Sequence, residues 1–176
     1  MAPDDSKAPV RPSIRPMELD DLPQVLEIER RSFPTPWSEK AFRGELTVNA
    51  YAYYIVAETD GRVVGYAGMW VIMDEAHVTN IAVHPDYRRS GVGRRLLEAL
   101  IERAADRGCD RMTLEVRKSN HAAQQLYLSF DFVPRGIRRG YYTDTNEDAI
   151  VMWKYRLQRW RRERGGRDRR DAVPGP

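Results

Sequence analysis

The chain has 176 residues, of which 41% are hydrophobic and 31% charged. That is enough apolar material for one folded domain, and no apolar run approaches the roughly 20 residues that span a bilayer. A single cysteine, Cys109, excludes an intramolecular disulfide and a cysteine-built zinc site. The net charge of +3 is uneven: eight arginines stand between Arg156 and Arg170 against Glu163 and Asp168, leaving 21 basic and 24 acidic residues elsewhere.

Residues 1–12 are rich in proline and charge, lack a signal-peptide core and predict a disordered extension of a cytoplasmic protein. Ser13 to Pro16 reads as a strand. A helix follows from about Asp20 to Arg31, with Leu22, Val25, Leu26, Ile28 and Glu29 at the spacing of an apolar face and charges opposite. The stretch Phe33-Pro34-Thr35-Pro36-Trp37-Ser38 breaks it, and Ser38 suits the N-cap of a second helix to about Leu46. Tyr51–Thr59 and Arg62–Met73 are strand-like runs joined by Asp60-Gly61, a hairpin signal, and a further strand is expected at about Ala76 to Val83.

That strand runs into Val83-His84-Pro85-Asp86-Tyr87-Arg88-Arg89-Ser90-Gly91-Val92-Gly93-Arg94, a basic turn punctuated by glycine. An amphipathic helix follows at once, carrying Val92, Leu96, Leu97, Leu100, Ile101 and Ala104 on one face. Bare backbone at a helix start can aim several N–H groups at one anion. The third glycine of a dinucleotide fingerprint is missing (Leu96 stands there), and so is the Gly-Lys-Ser/Thr of a Walker loop. Two readings remain for R-x-x-G-x-G: a phosphate cradle, or a tight turn at a helix start.

Beyond it, Arg111–Arg117 reads as a strand and Asn120 as the cap of a helix to about Phe130. Two last strands, near Phe132–Tyr142 and Asp148–Leu157, enclose a polar turn at Thr143 to Glu147. Residues 158–176 read as an arginine-rich disordered tail, with a weak, salt-sensitive attraction to RNA or the ribosome surface. The order β-α-α-β-β-β-α-β-α-β-β describes one α/β domain over residues 13–157.

Several segments stand together in the order of a known family: Phe33 to Ser38, Asn80-Ile81-Ala82-Val83, the glycine turn, Leu114-Glu115-Val116-Arg117, Ser119-Asn120, Leu126-Tyr127 and Arg138-Arg139-Gly140-Tyr141-Tyr142. The chain thereby resembles the GNAT N-acetyltransferases, and within them the RimI-type branch of ribosomal-protein alanine N-terminal acetyltransferases. The glycine turn marks the superfamily only; the contexts of Glu115, Asn120 and Tyr141-Tyr142 mark the branch. In one place it departs: the family's Leu-Gly after the last helix is Phe130-Asp131 here, where a left-handed residue is expected.

The resemblance implies a mixed central sheet flanked by helices, with acetyl-CoA as co-substrate and no metal. It implies that a protein N-terminus, that of a small-subunit ribosomal protein, receives the acetyl group by direct attack. Cofactor contacts are implied for backbone at Ile81 and Val83, for Arg88, Arg89, Gly91, Gly93 and Arg94 around the pyrophosphate, and for Asn120. Glu115 is the implied base; the residues alone favour an ordinary solvent-facing strand glutamate, and the resemblance reverses that preference. Tyr127 is the implied acid toward the departing thiolate, although it also continues the helical stripe Ala123, Leu126 and Phe130. Trp37, Tyr141 and Tyr142 are candidates for shaping the peptide cleft. His77, a lone histidine without a second ligand at metal spacing, is assigned no role. The same chemistry on a lysine or a small amine, and an acetyl-CoA-binding module at the ribosome, are the competing functions.

Overall fold

The computed structural model describes residues 11–171. Its elements are β1 (Ser13–Pro16), α1 (Leu22–Ser32), α2 (Glu39–Thr47), β2 (Ala52–Thr59), β3 (Arg62–Ile72), β4 (Glu75–Val83), α3 (Val92–Asp106), β5 (Arg111–Arg117), α4 (His121–Leu128), β6 (Val133–Tyr142), β7 (Glu147–Tyr155) and α5 (Leu157–Asp171). The strands form one sheet in the order β1-β2-β3-β4-β5-β7-β6. Every neighbouring pair is antiparallel except β4 and β5, which run parallel because α3 connects them.

Local chemistry explains most boundaries. Ser38 keeps an extended backbone while its side chain accepts the Ala41 N–H, which starts α2. The Asn120 side chain likewise accepts the Ala123 N–H, which starts α4. Asp60 and Gly61 both have positive φ (51° and 73°), the backbone that a two-residue hairpin turn between twisted strands requires.

Two clusters of buried side chains form the core. On one side, α3 lays Val92, Leu96, Leu97, Leu100 and Ile101 into a cluster with Met112, Leu114 and Val116 of β5. In the other, Val25, Leu26 and Ile28 of α1 and Phe42 of α2 pack with Tyr54, Val56 and Tyr66. The register of β4 slips by one at Thr79, since Gly68 pairs with Asn80 and Met69 with Val78. Ala76 and Val78 therefore join the α3 cluster before the bulge, whereas Ile81 and Val83 pack against it afterwards and Ala82 joins the other cluster.

The C-terminal segment differs from the disordered tail expected of residues 158–176. It is helical through Asp171 in α5. Leu157 is fully buried, and Trp160, one turn on, packs against the same core. Gln158 donates to the carbonyls of Ala105 (2.7 Å) and Cys109 (3.0 Å), which terminate α3. Arg161 pairs with Asp106 at 2.6 Å and Arg164 with Glu98. Counting arginines missed the two apolar residues at helical spacing and the acidic side of α3 that receives the charge. Residues 1–10 of the expected extension and 172–176 of the expected tail lie outside the described residues.

Asp131 takes the left-handed conformation expected at that position, with φ of 64°. The buried Lys154 secures this helix exit: its Nζ donates to the Phe130 carbonyl at 2.7 Å and stands 3.7 Å from the Asp131 carboxylate.

Candidate active site

The parallel contact between β4 and β5 is short. Glu75, Ala76 and His77 pair with Arg111, Met112 and Thr113, and there the pairing ends. Past that point Val78 to Ile81 and Leu114 to Arg117 line opposite sides of a cleft of about 430 Å³. Its remaining walls come from Glu29 and Ser32 of α1, from Phe33, Thr35 and Trp37 between α1 and α2, from Asn120 and Tyr127 at α4, and from Tyr141 to Asp144 at the β6–β7 turn. A strand edge released from its neighbour presents backbone N–H and C=O groups that need a partner. The split thus makes both a hole in the sheet and a rail along one side of it.

Glu115 stands at this split. Leu114 and Val116 are buried in the α3 cluster, so alternation turns Glu115 to the opposite face. Its side chain is only 7% exposed. Oε2 lies 2.7 Å from His77 Nε2, and Oε1 lies 3.5 Å from Arg138. Burial by itself would raise the carboxyl's pKa, but the His77 hydrogen bond and the charges of His77 and Arg138 outweigh it. The net effect holds Glu115 below the ordinary carboxylate range. It is an anion at neutral pH, seated in the cleft wall.

Tyr127 faces the same cleft from α4 and is 5% exposed. Burial pushes its phenol well above the usual value, so the hydroxyl stays protonated. It has no hydrogen-bond partner among the described residues. Tyr141 and Tyr142 meet edge to face at 5.1 Å; the Arg117 guanidinium lies 4.0 Å from the Tyr142 ring. Burial raises the Tyr142 phenol to about 12. Across the cleft, Trp37 leans on Phe42 at 5.5 Å, and its backbone N–H donates to Glu29 Oε1.

The glycine turn begins where β4 ends. His84, 1% exposed, accepts the Asp86 N–H on Nδ1 at 3.2 Å and shapes the turn over Pro85–Tyr87. Arg89 and Gly91 both have positive φ, 64° and 88°, and the Ser90 hydroxyl between them donates to the Tyr87 carbonyl. Gly91 is the N-cap of α3 and supplies no side-chain cap. The first intrahelical bond runs from Arg95 N–H to Gly91, which leaves the preceding N–H groups outside the helix ladder. A Cβ on Gly93 would meet only Leu126 and Val83, at 3.6 and 3.7 Å. Arg94 bonds Ser129 at 3.0 Å and lies over the Phe130 ring. Arg88 reaches back to the Val83 carbonyl (3.1 Å) and Ser32 (3.2 Å), tying the end of β4 to α1.

Of the residues expected from sequence, Trp37, Ile81, Glu115, Asn120, Tyr127, Tyr141 and Tyr142 line one cleft. Val83, Arg88, Arg89, Gly91, Gly93 and Arg94 gather at the end of β4, at the turn. The sequence assigns no role to His77 or to Glu29, which reads there only as part of the α1 face. His77 reaches Glu115 because it pairs with Thr113 and the two side chains share a sheet face, a register that no local pattern encodes. Among the described residues no cluster of His, Cys, Asp or Glu could hold a metal ion, and no helix is long and apolar enough to cross a membrane.

Comparison with known proteins identifies the family. Residues 22–132 match the model of the acetyltransferase (GNAT) family. A protein of Bacillus subtilis (strain 168) is 47% identical over 141 residues, covering 80% of this chain and 93% of that protein. The ribosomal protein bS18-alanine N-acetyltransferase of Escherichia coli (strain K12) is 45% identical over 145 residues, covering 80% and 95%. The crystal structure of the ribosomal-protein-S18-alanine N-acetyltransferase from Escherichia coli superposes with a TM-score of 0.76 at 42% identity, over 82% of this chain and 94% of that one. The chain belongs to the acetyltransferase (GNAT) family, in the branch it shares with these ribosomal-protein alanine N-acetyltransferases.

Proposed function

We propose that the chain transfers the acetyl group of acetyl-CoA to the α-amine of an N-terminal alanine, with ribosomal protein bS18 as its protein substrate. The observation that carries this reading is the placement of Glu115 in the split between β4 and β5, between the strand that leads to the glycine turn and the aromatic wall of Tyr141-Tyr142. Identity of 45% to the Escherichia coli enzyme over 95% of its length supports the choice of substrate.

The residues fit the donor. The start of α3 offers uncapped N–H groups beside two glycines, which suits a pyrophosphate. The released edge of β4 suits the amides of a pantetheine arm. Acetyl-CoA supplies the activated acetyl group; the protein supplies position and proton handling. Glu115 takes the proton that the amine sheds as its nitrogen bonds to the acetyl carbon. At pH 7 roughly a tenth of an α-amine is already neutral, against about one in 2,500 for a lysine. One buried carboxylate therefore suffices for an α-amine.

Tyr127 serves the leaving sulfur. On reference values near 10 for a phenol and 8.5 for a thiol, full proton transfer from Tyr127 is uphill. Burial raises the phenol further, and the same desolvation destabilises a thiolate formed beside it. The contribution of Tyr127 is thus a hydrogen bond to developing charge on sulfur. Trp37, Tyr141 and Tyr142 flank the incoming peptide. Arg156 and the arginines of α5 add a weak attraction to RNA; replacing Arg156, Arg159 and Arg162 with glutamine, with ribosome association at low salt unchanged, would remove that element.

Two peptides decide the main reading by mass spectrometry after incubation with acetyl-CoA. One carries the bS18 N-terminal sequence with a free alanine; the other has a blocked N-terminus and an internal lysine. Acetylation confined to the first peptide's α-amine is expected. Reaction of the blocked peptide alone would overturn the substrate assignment.

A further inference from the structure

Glu115 lines the cleft, and His77 does not. The two meet across paired strands: His77 of β4 stands opposite Thr113 of β5, and Glu115 lies two residues further along the same face. Nε2 of His77 is 2.7 Å from Oε2 of Glu115. An anionic carboxylate has no hydrogen to give, so Nε2–H donates to Oε2, in the neutral ring and in the imidazolium alike. The ring is braced in its turn. It stands edge-on to Trp70, its cross-strand partner on β3, at 6.2 Å, and the Trp70 indole N–H donates to Glu45 Oε2 of α2 at 2.7 Å. A row of side chains thus runs from α2 across β3 and β4 to the carboxylate on β5.

We propose that His77 is a positioning residue for acetyl transfer: its Nε2–H holds Oε2 of Glu115 and leaves Oε1 to take the proton of the substrate amine. The inference rests on Glu115 being the base. As the amine nitrogen bonds to the acetyl carbon, the C–S bond breaks and sulfur leaves with the electron pair. The nitrogen loses one proton to Oε1. His77 keeps its own hydrogen throughout.

The site explains why the base needs a holder. A general base works within about 2.6–3.2 Å of the proton it takes, so a carboxylate free to stray from that range loses rate. A competitor for it stands close by. Arg138 lies 3.5 Å from Oε1, with 56% of its side chain exposed. Without His77, a close ion pair with Arg138 would occupy the oxygen that the amine needs. Burial adds to the demand, because it favours the protonated acid, which cannot accept from the amine; the His77 hydrogen bond opposes it.

The test is a double-substitution cycle on acetyl transfer to the alanine peptide, with acetyl-CoA affinity and melting temperature measured for every variant. His77→Phe keeps a ring against Trp70 and removes the donor; His77→Gln keeps a donor. His77→Leu takes the place of His77→Phe if that variant no longer binds acetyl-CoA. His77→Phe is expected to lower kcat about tenfold or more while the KM for peptide and the Kd for acetyl-CoA hold within about twofold. His77→Gln is expected to recover most of that loss. In a Glu115→Gln background His77→Phe should cost nothing further, because the group it positions is no longer a base. A kcat of His77→Phe within about twofold of the unsubstituted protein would overturn the proposal. So would equal losses in His77→Phe and His77→Gln, or a second loss of full size on top of Glu115→Gln. The same cycle separates this claim from the one beneath it. If Glu115→Gln is strongly impaired while His77→Phe is not, the base stands and the positioning role falls; if Glu115→Gln is fully active, both fall.

Discussion

The backbone N–H of Trp37 donates to Oε1 of Glu29 at 2.9 Å, so the loop carrying a cleft aromatic is tied to a carboxyl group that is 1% exposed. The Tyr66 hydroxyl bonds the other oxygen. Together they set the α1–α2 loop against the sheet and fix where one wall of the cleft stands.

This tie has a pH dependence. Burial pushes the Glu29 carboxyl from 4.5 up to about 7, against the opposing pull of the Trp37 N–H. Between those values the native state holds a proton that the unfolded chain has released, so this group's contribution falls as pH rises from about 4.5 to about 7. Glu29→Gln mimics the protonated form. Relative to the unsubstituted protein it should gain stability across that window, by up to about 3 kcal/mol above it. Chemical denaturation of both proteins at several pH values reads this directly, and parallel curves would contradict it.

The two glycines of the turn should separate by function. Gly91 has φ of 88°, so Gly91→Ala is expected to cost about 1 kcal/mol of stability as well as acetyl-CoA affinity. Gly93→Ala meets only ordinary contacts in the protein itself. Its melting temperature should hold while its Kd for acetyl-CoA weakens about tenfold or more. Calorimetric titration of a well-folded Gly93→Ala variant with unchanged affinity would show that the cofactor does not lie over this turn.

Tyr127→Phe removes a hydroxyl that has no partner among the described residues. The packing against Phe132, at 5.9 Å between rings, is retained. Stability should therefore be unchanged or slightly raised, while kcat falls by about tenfold to a hundredfold with the KM for peptide nearly constant. A stability loss without a kinetic effect would assign Tyr127 to the core alone.

Truncation after Arg156 tests α5. It removes Leu157 and Trp160 from the core and the Gln158 bonds to the Ala105 and Cys109 carbonyls. A loss of about 3 kcal/mol, or roughly 10 °C in melting temperature, is expected. An unchanged melting temperature would mean that the helix adds nothing to the fold.

Short-range chemistry made most of this molecule legible in advance. The caps at Ser38 and Asn120, the Asp60-Gly61 turn and the glycine turn are each written in a few adjacent residues, and the elements they bound stand where expected. The partnership of His77 with Glu115 was hidden because it depends on the register of two parallel strands joined through a 15-residue helix. Glu29 stood at the spacing of the buried face of α1, but its role was hidden because its partners Tyr66 and Trp37 lie far along the chain or beyond two prolines. In α5 the arginines dominated the composition, while Leu157 and Trp160 decided the structure.

The most direct measurement is the Glu115→Gln variant, assayed for acetyl-CoA binding by calorimetry and for acetylation of the bS18 N-terminal peptide at pH 7. Affinity for acetyl-CoA should be retained and kcat should fall by about 10²–10⁴-fold. Turnover equal to that of the unsubstituted protein, with binding intact, would contradict the assignment of Glu115 as the base.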